Sequence, residues 1–221
     1  TWRAGFEWDI LDRSLLYGTF EKGFKSGGFF FSSDNPVYQP EKIDAWTLGM
    51  KNRFLENRLQ VNIEAFWWKY QDQQVSSVAR DSAGNVIFAT RNVGQSSNKG
   101  IEIETMALVT PTTQLSGTVQ YLDAKYDSFV FATPNFSPQV PGLLTSIPPL
   151  ANCPAVLGTP TTNYIQNCSG KTPPNAPKWV VSLGAQQTVP LGAWKLVINA
   201  NTRYQSRTIT GLEYLASEVQ E

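Results

Sequence analysis

Glu102 and Glu104 are the residues of this 221-residue chain whose spacing could support acid–base chemistry. They are two positions apart, so in a β-strand both side chains point to the same face. Two carboxylates on one face can act as an acid and a base, or bind a cation. They can equally line a polar wall, alone or paired with Lys195 or Arg203, and we favour that simpler interpretation.

The composition excludes several common kinds of site. The chain has no histidine, so a Ser-His-Asp triad, an imidazole base or a histidine-ligated zinc site cannot be built from it. Its 18 Lys and Arg balance its 18 Asp and Glu, which leaves no basic footprint for a nucleic acid. No apolar run approaches the ~20 residues of a membrane-spanning helix. We therefore expect no nucleic-acid partner, no metal site and no cofactor.

Alternation of apolar and polar residues with the period of a β-strand runs along most of the chain. Between Arg58 and Asp72 one face is apolar from Leu59 to Trp67, with Ile63 at its centre, and the other is polar with aromatic residues at one end. A strand of this kind lies between two different solvents. The pattern predicts eight strands, over residues 1–10, 14–25, 43–54, 59–76, 88–109, 115–126, 178–189 and 194–208.

Short turns and long connections alternate between these predicted strands. The long connections span about residues 27–41, 77–98 and 127–177, and we expect a protruding hairpin within the second. Outer-membrane barrels have this layout, with the long loops outside the cell. A soluble sandwich has no reason to separate short and long connections so regularly.

Aromatic residues on the apolar face give a quantitative check of the membrane interpretation. A strand tilted by ~40° crosses an apolar band of ~25 Å in ~10 residues, so rings should lie near the short turns and again about ten residues away. We predict that such rings form a lipid-facing girdle at two heights. Its members are Trp8, Trp46, Phe54, Trp67, Tyr121, Trp179, Trp194 and Tyr204.

Several short motifs between residues 9 and 126 are informative through their order and spacing. They are Gly23-Phe24-Lys25-Ser26-Gly27-Gly28-Phe29, Leu48-Gly49-Met50-Lys51, Asn57-Arg58-Leu59 and Lys99-Gly100-Ile101-Glu102. Together they resemble TonB-dependent outer-membrane receptors. The resemblance implies an all-β, antiparallel 22-stranded barrel with an N-terminal plug. Residues 1–221 would be a partial barrel domain of about eight strands from its C-terminal half, without the plug or the terminal strand.

The resemblance also implies a function. It is energised, TonB-coupled uptake of a scarce large ligand across the outer membrane of a Gram-negative bacterium, without enzymatic chemistry. The ligand would be a ferric siderophore in first place, otherwise a corrinoid or an oligosaccharide. The implied partners are outer-membrane lipid, the ligand, and the TonB complex through the missing N-terminal region. The alternatives are a passive porin or small adhesion-type barrel, and a soluble carbohydrate-binding β-sandwich.

Candidate ligand contacts follow from the predicted inward face and loops. Phe29, Tyr38 and Tyr70 could stack on an incoming ligand, although packing among loop aromatics is the simpler explanation. On the inward face we add the two glutamates, Glu102 and Glu104, and also Arg203.

The two cysteines, Cys153 and Cys168, fall in a proline-rich connection. The oxidising compartment and the even count favour a disulfide, which would close a loop of ~15 residues and stabilise it by ~3 kcal/mol. The alternative is two free thiols. Their spacing excludes a CxxC-type redox or zinc motif.

Overall fold

The structure is a computed structural model that describes residues 1–29, 37–81, 83, 85–134, 152–158 and 163–221. In this part of the chain the regular structure is almost entirely β, with one short 3₁₀ helix, Ala216–Glu218. No helix among these residues is long and apolar enough to cross a membrane. The strands, in chain order, are β1 (Trp2–Leu11), β2 (Ser14–Lys25), β3 (Gly28–Phe29), β4 (Val37–Tyr38), β5 (Glu41–Phe54), β6 (Leu59–Gln71), β7 (Gln74–Arg80), β8 (Val86–Asn92), β9 (Gly94–Thr110), β10 (Thr113–Pro134), β11 (Ala155–Leu157), β12 (Asn163–Asn167), β13 (Trp179–Leu191), β14 (Trp194–Gln205), β15 (Thr208–Ile209) and β16 (Val219–Gln220).

Eight long strands form one antiparallel sheet in the order β1-β2-β5-β6-β9-β10-β13-β14. Strand β12 pairs with the far end of β10, and β11 pairs with β12. The remaining strands form three separate pairs, β3–β4, β7–β8 and β15–β16. The predicted number of long strands is therefore confirmed. A single continuous sheet also contradicts the sandwich alternative, which requires two facing sheets.

The strand register divides this sheet into an apolar face and a polar face. Met50, Ile63, Ile103 and Val119 are cross-strand partners in one row, so four neighbouring strands present aliphatic side chains on the same side. Ile63 is 41% exposed, although it lies in the middle of β6. An extended apolar surface without a covering layer fits a lipid environment much better than water.

Several predicted strand ends are wrong, for identifiable reasons. The strand predicted over 59–76 ends at Gln71, because Asp72 has a positive φ of 55° that extended backbone does not allow. The residues beyond it form the β7–β8 hairpin, so β9 begins at Gly94 and not at residue 88. The last long strand ends at Gln205, before the separate β15. Ser82 and Gly84, in the predicted hairpin tip, lie outside the described residues.

Strand β10 continues to Pro134, well past its predicted end at residue 126 and into the predicted connection 127–177. Its register with β9 shifts between Tyr126 and Ser128, which marks Asp127 as a β-bulge. The bulge reverses the alternation, so that Phe129 comes to the same side as Tyr126 and their rings stack with centroids 4.3 Å apart. Strict alternation with a period of two stops at the bulge, which is why the strand was predicted to end at residue 126.

A small core forms where β10 extends beyond the main sheet. Tyr126 and Phe129 are buried there together with Cys153, Cys168 and Tyr214. A disulfide joins Cys153 to Cys168, whose Cα atoms are 5.1 Å apart. The core therefore ties the β11–β12 segment and the C-terminal segment to β10.

Candidate ligand-binding wall and loops

On the polar face, one side-chain hydrogen bond joins two strands across a third strand between them. The Tyr17 hydroxyl on β2 donates to Glu64 Oε2 on β6 at 2.6 Å. The strand between them places Gly49 opposite both residues. A Cβ atom on Gly49 would lie 2.4 Å from the Tyr17 ring, so the tyrosine can reach Glu64 only because this position is glycine.

The predicted pair Glu102 and Glu104 lies on this polar face, beside Glu64. Glu102 is the register partner of Glu64, and the Asn62 amide donates to Glu104 Oε2 at 3.4 Å. This part of the wall is therefore rich in carboxylates. Among the described residues, no group of three or more His, Cys, Asp or Glu side chains is arranged to hold a metal ion.

Arg203 lies on the same face but apart from the glutamates. It is on β14, in register with Ser182, and two strands, β10 and β13, separate it from β9. The possible pairing of Glu102 or Glu104 with Arg203 or Lys195 is therefore not found in the described structure. Arg203 instead borders a shallow cavity of about 290 Å³. Hydroxyl and amide side chains such as Ser116, Thr118, Ser182 and Asn201 line it.

Aromatic rings on the polar face lie towards the long connections. Phe66 is only 7% exposed and packs against Trp68, with ring centroids 4.7 Å apart. Its ring covers Gly100, where a Cβ would come within 2.6 Å of it. Tyr70 follows on the same face, in register with Ser96. The predicted ligand contact Tyr70 therefore stands at the end of the wall that the long connections surround.

The other two aromatic candidates lie in the first long connection. Phe29 and Tyr38 are in the two-stranded β3–β4 sheet, where Gly28 pairs with Tyr38 and Phe29 with Val37. Phe29 is 53% exposed, and the Tyr38 ring lies against Gly28. The two rings are therefore on one small ribbon next to the end of β2.

Two side chains join the first long connection to the β7–β8 hairpin, and we call them the loop bridge: Gln74 and Asn92. The Asn92 amide donates to the Gln39 carbonyl at 2.9 Å and to the Asp72 carbonyl at 2.7 Å, and its oxygen accepts from the Gln39 backbone N–H at 2.7 Å. The Gln74 amide donates to the carbonyls of Ser26 and Gln39 at 2.9 and 3.1 Å. The two segments are therefore held as one unit.

The eight predicted girdle residues share the apolar face of the sheet. Trp46 stacks on Trp67 with ring centroids 5.0 Å apart, and Phe20 extends this row on the other side of Trp46 at 4.8 Å. Further along the sheet, Tyr121 and Trp179 pair at 4.8 Å. Trp8, Phe54 and Trp194 lie beside short turns, at the other end of the strands.

The sequence pattern missed part of this site. Glu64 and Tyr17 were not predicted as site residues, and neither were Gln74 and Asn92. The alternation had placed Glu64 on the polar side, but nothing local shows that it is the register partner of Glu102. The loop bridge joins residues far apart in the chain, so no spacing rule could indicate it.

The fold and the two faces define a class of protein: the wall of a transmembrane β-barrel with long connections at one end. The chain belongs to the TonB dependent receptor-like, beta-barrel family, whose family model matches residues 1–217. This family consists of transporters and receptors and not of enzymes. Its members lie in the outer membrane of Gram-negative bacteria, and this chain shares that location.

Individual relatives are siderophore receptors. The chain is 29% identical over 110 residues to the ferric-pyoverdine 358 receptor of Pseudomonas putida, a match that covers 49% of this chain and 13% of that one. It superposes on the siderophore receptor PiuA from Acinetobacter baumannii with a TM-score of 0.61, at 19% identity, covering 94% of this chain and 26% of the other. For BauA, the ferric preacinetobactin receptor of the same species, the TM-score is 0.59, the identity 18% and the coverage 96% and 26%. The chain thus spans about a quarter of the length of these solved receptors.

Proposed function

We propose that this chain forms part of the wall and ligand-facing loops of a receptor that takes up a ferric siderophore with TonB-coupled energy. The family assignment supports this proposal, and so do the names of the relatives, which are receptors for pyoverdine and preacinetobactin. Iron is the cargo in this function, held by the siderophore and not by the protein. The apolar face with its girdle residues contacts lipid, and the polar face lines the lumen.

The observation that carries the proposal is the position of the aromatic candidates relative to the loop bridge. Tyr70 ends the polar wall, Phe29 and Tyr38 lie on the β3–β4 ribbon, and Gln74 and Asn92 join that ribbon to the β7–β8 hairpin. One exposed ring, Phe29, and two half-buried rings, Tyr38 and Tyr70, form a preorganised set that binds flat ligand groups without first ordering the loops. Phe29, Tyr38 and Tyr70 are therefore the proposed first contacts of the ligand.

Glu102, Glu104 and Arg203 are proposed as polar wall contacts deeper along the strands. The carboxylates are on β9 and the arginine is on β14, so a ligand moving along the wall encounters negative and positive charges at separate positions. No covalent step is required of any of them. Their role is to hydrogen-bond or to attract charged groups in a wet lumen.

The test is uptake of radioactive iron by iron-starved cells that depend on the full-length receptor for growth. Changing Tyr38 and Tyr70 together to Ala should raise the ligand concentration for half-maximal binding by about tenfold or more, because each buried ring contact contributes ~0.5–1.5 kcal/mol. Tyr204→Ala, on the apolar face, is the matched control and should leave binding unchanged. Equal binding by the double variant and the parent would contradict the assignment of these contacts.

A second arm separates energised uptake from passive diffusion. Dissipating the proton gradient should stop iron accumulation while ligand binding at the cell surface persists. Accumulation that continues after this treatment would contradict TonB coupling and favour the passive barrel.

A further inference from the structure

Charged residues on the apolar face follow the aromatic girdle with a constant offset. On β2, β5 and β6 the charged residue stands two positions beyond Phe20, Trp46 and Trp67, towards the long connections. On β10, Asp123 stands two positions beyond Tyr121, and its register partner on β9 is Lys99. Lys178, which immediately precedes β13, has its ammonium group 5.5 Å from the centre of the Tyr121 ring. We call these residues the charged row. In order across the sheet they are Lys22, Asp44, Lys69, Lys99, Asp123 and Lys178.

Positive and negative charges alternate along most of this row. Lys22 pairs with Asp44 at 3.1 Å, and Lys99 pairs with Asp123 at 3.4 Å. The alternation fails at one place, between Lys69 on β6 and Lys99 on β9, where two lysines are neighbours without a carboxylate between them. The two lysines are diagonal neighbours, since the register partner of Lys69 is Ser97 and that of Lys99 is Trp67.

The geometry at this break brings three lysines around one position. Ser97 on β9 is the register partner of both Lys69 and Lys125, which places a lysine on each side of it. Lys99 is two residues from Ser97 on the same strand, and so is diagonal to both lysines, at a Cα distance of about 7–8 Å. All three lysines are exposed. We call them the lysine triad.

Three carboxylates lie near the triad, and Asp44, the register partner of Lys69, is ion-paired with Lys22 on its other side. Asp123 is held by Lys99, and Asp127 accepts a hydrogen bond from the Ser97 hydroxyl at 2.9 Å. Neither Lys69 nor Lys125 forms an ion pair with any residue that the structure describes. The Lys69 ammonium group instead lies 4.9 Å from the centre of the Trp67 ring. The triad is therefore placed at the edge of the girdle, where the apolar band ends.

We propose that the lysine triad binds the phosphate groups of a lipid headgroup in the layer of the membrane next to the long connections. Three observations meet here: the triad faces the lipid side of the sheet, it stands at the edge of the girdle, and two of its lysines, Lys69 and Lys125, form no ion pair with a described residue. Basic pockets at membrane interfaces bind phosphorylated headgroups by the same charge complementarity. This inference rests on the apolar face contacting lipid and is independent of which ligand the receptor imports.

The test uses the full-length receptor, purified in detergent and stripped of lipid. Its affinity for diphosphorylated lipid A is compared with that for the same glycolipid after phosphatase treatment, by native mass spectrometry. The unchanged protein should bind the phosphorylated form at least tenfold more tightly, and rising salt should weaken this preference. Equal affinity for the two forms would overturn the proposal without any variant being needed.

Variants then locate the site. Replacing Lys69 and Lys99 together by Gln should lower the affinity for the phosphorylated glycolipid by roughly tenfold or more. Lys51→Gln combined with Lys195→Gln is the matched control, since it removes the same charge from the polar face. An equal loss in both double variants would show a diffuse charge effect and reject the triad. Siderophore binding should be the same in all these proteins, so failure of this inference is distinguishable from failure of the import function.

Discussion

The hydroxyl of Tyr17 on β2 donates a hydrogen bond to the carboxylate of Glu64 on β6, across the intervening strand β5. Gly49 on β5 makes this possible, because it has no side chain to occupy the space under the tyrosine ring. One glycine thus allows a tyrosine to hold a carboxylate two strands away from it on the proposed lumen wall. The relationship can be tested at each of its three members.

Gly49→Ala should destabilise the protein by about 1–3 kcal/mol, because the added Cβ overlaps the Tyr17 ring and the tyrosine must move. Tyr17→Phe keeps the ring and loses only the hydrogen bond to a charged acceptor, so its cost should be about 1–3 kcal/mol as well. In the Gly49→Ala background the further change Tyr17→Phe should have little effect, since the bond is already broken. Urea unfolding in detergent measures all three, and additive costs would contradict the coupling.

Ile63→Arg should destabilise the membrane-inserted protein by about 2–4 kcal/mol, because it places a charge on the apolar face in the middle of β6. The matched control is Asn62→Arg, one residue away, whose side chain points to the polar face beside Glu104. This control should fold nearly as well as the parent. The measurement is the equilibrium of refolding into lipid vesicles, and similar costs for both variants would mean that the assignment of faces is wrong.

Asn92→Ala should weaken ligand binding without changing the stability of the main sheet. The change removes two hydrogen bonds to Gln39 that join the first long connection to the β7–β8 hairpin, and a third to the Asp72 carbonyl, so the ligand must order the two segments separately. We expect the siderophore dissociation constant to rise by about fivefold or more. Ser76→Ala is the control, since the Ser76 hydroxyl forms its hydrogen bond with Thr90 inside the hairpin. An Asn92→Ala protein that binds like the control would exclude a role for the loop bridge.

Removing the disulfide by Cys153→Ser should loosen the small core beyond the main sheet. Reopening a loop of ~15 residues costs ~3 kcal/mol on the chain-entropy model. Hydrogen exchange should therefore speed up in β11 and β12, while β5 and β6 keep their protection. Uniformly faster exchange across the main sheet would contradict this separation of the core from the wall.

Tyr214, in the same core, predicts a stability change at alkaline pH. Burial raises the pKa of this phenol above its ordinary value, and the nearby Tyr126 hydroxyl adds to the effect. The folded state therefore holds the proton more tightly than the unfolded state, so the contribution of the neutral phenol is complete below pH ~10 and is lost as the pH rises through the folded pKa. Tyr214→Phe should remove this loss, at a cost of about 1 kcal/mol for the bond to the Thr172 carbonyl. Absorbance titration of the phenolate checks the pKa.

The sequence predicted most of the strands because alternation is a local property. Each long strand shows its own two faces, and the assignment of Ile63 to the apolar side required no knowledge of its neighbours. Register is not a local property, so the sequence alone does not show that Glu64 and Glu102 are register partners. Pairing of Glu102 with Arg203 was one of the possibilities that the sequence left open, and strand order separates the two residues by two strands.

Irregularities also escaped the sequence pattern. Asp72 ends a strand by taking a positive φ, which aspartate tolerates better than most residues but which no periodicity reveals. Gln74 falls at the end of the predicted strand 59–76 and Asn92 in the predicted connection 77–98, and only the folded chain shows that they bond the same carbonyl. Single residues that join distant segments are therefore found by geometry alone.

Because of the bulge at Asp127, the packing of β10 beyond Tyr126 depends on the number of residues in this segment more than on which residue stands at position 127. Many side chains could stand at this position, because an extra residue in a strand contributes spacing and not packing. Deleting it would turn Phe129 and Phe131 out of the small core and bring in the smaller side chains of Ser128, Val130 and Ala132. Natural variation in this segment should therefore tolerate exchange of amino acids but reject the loss or gain of one.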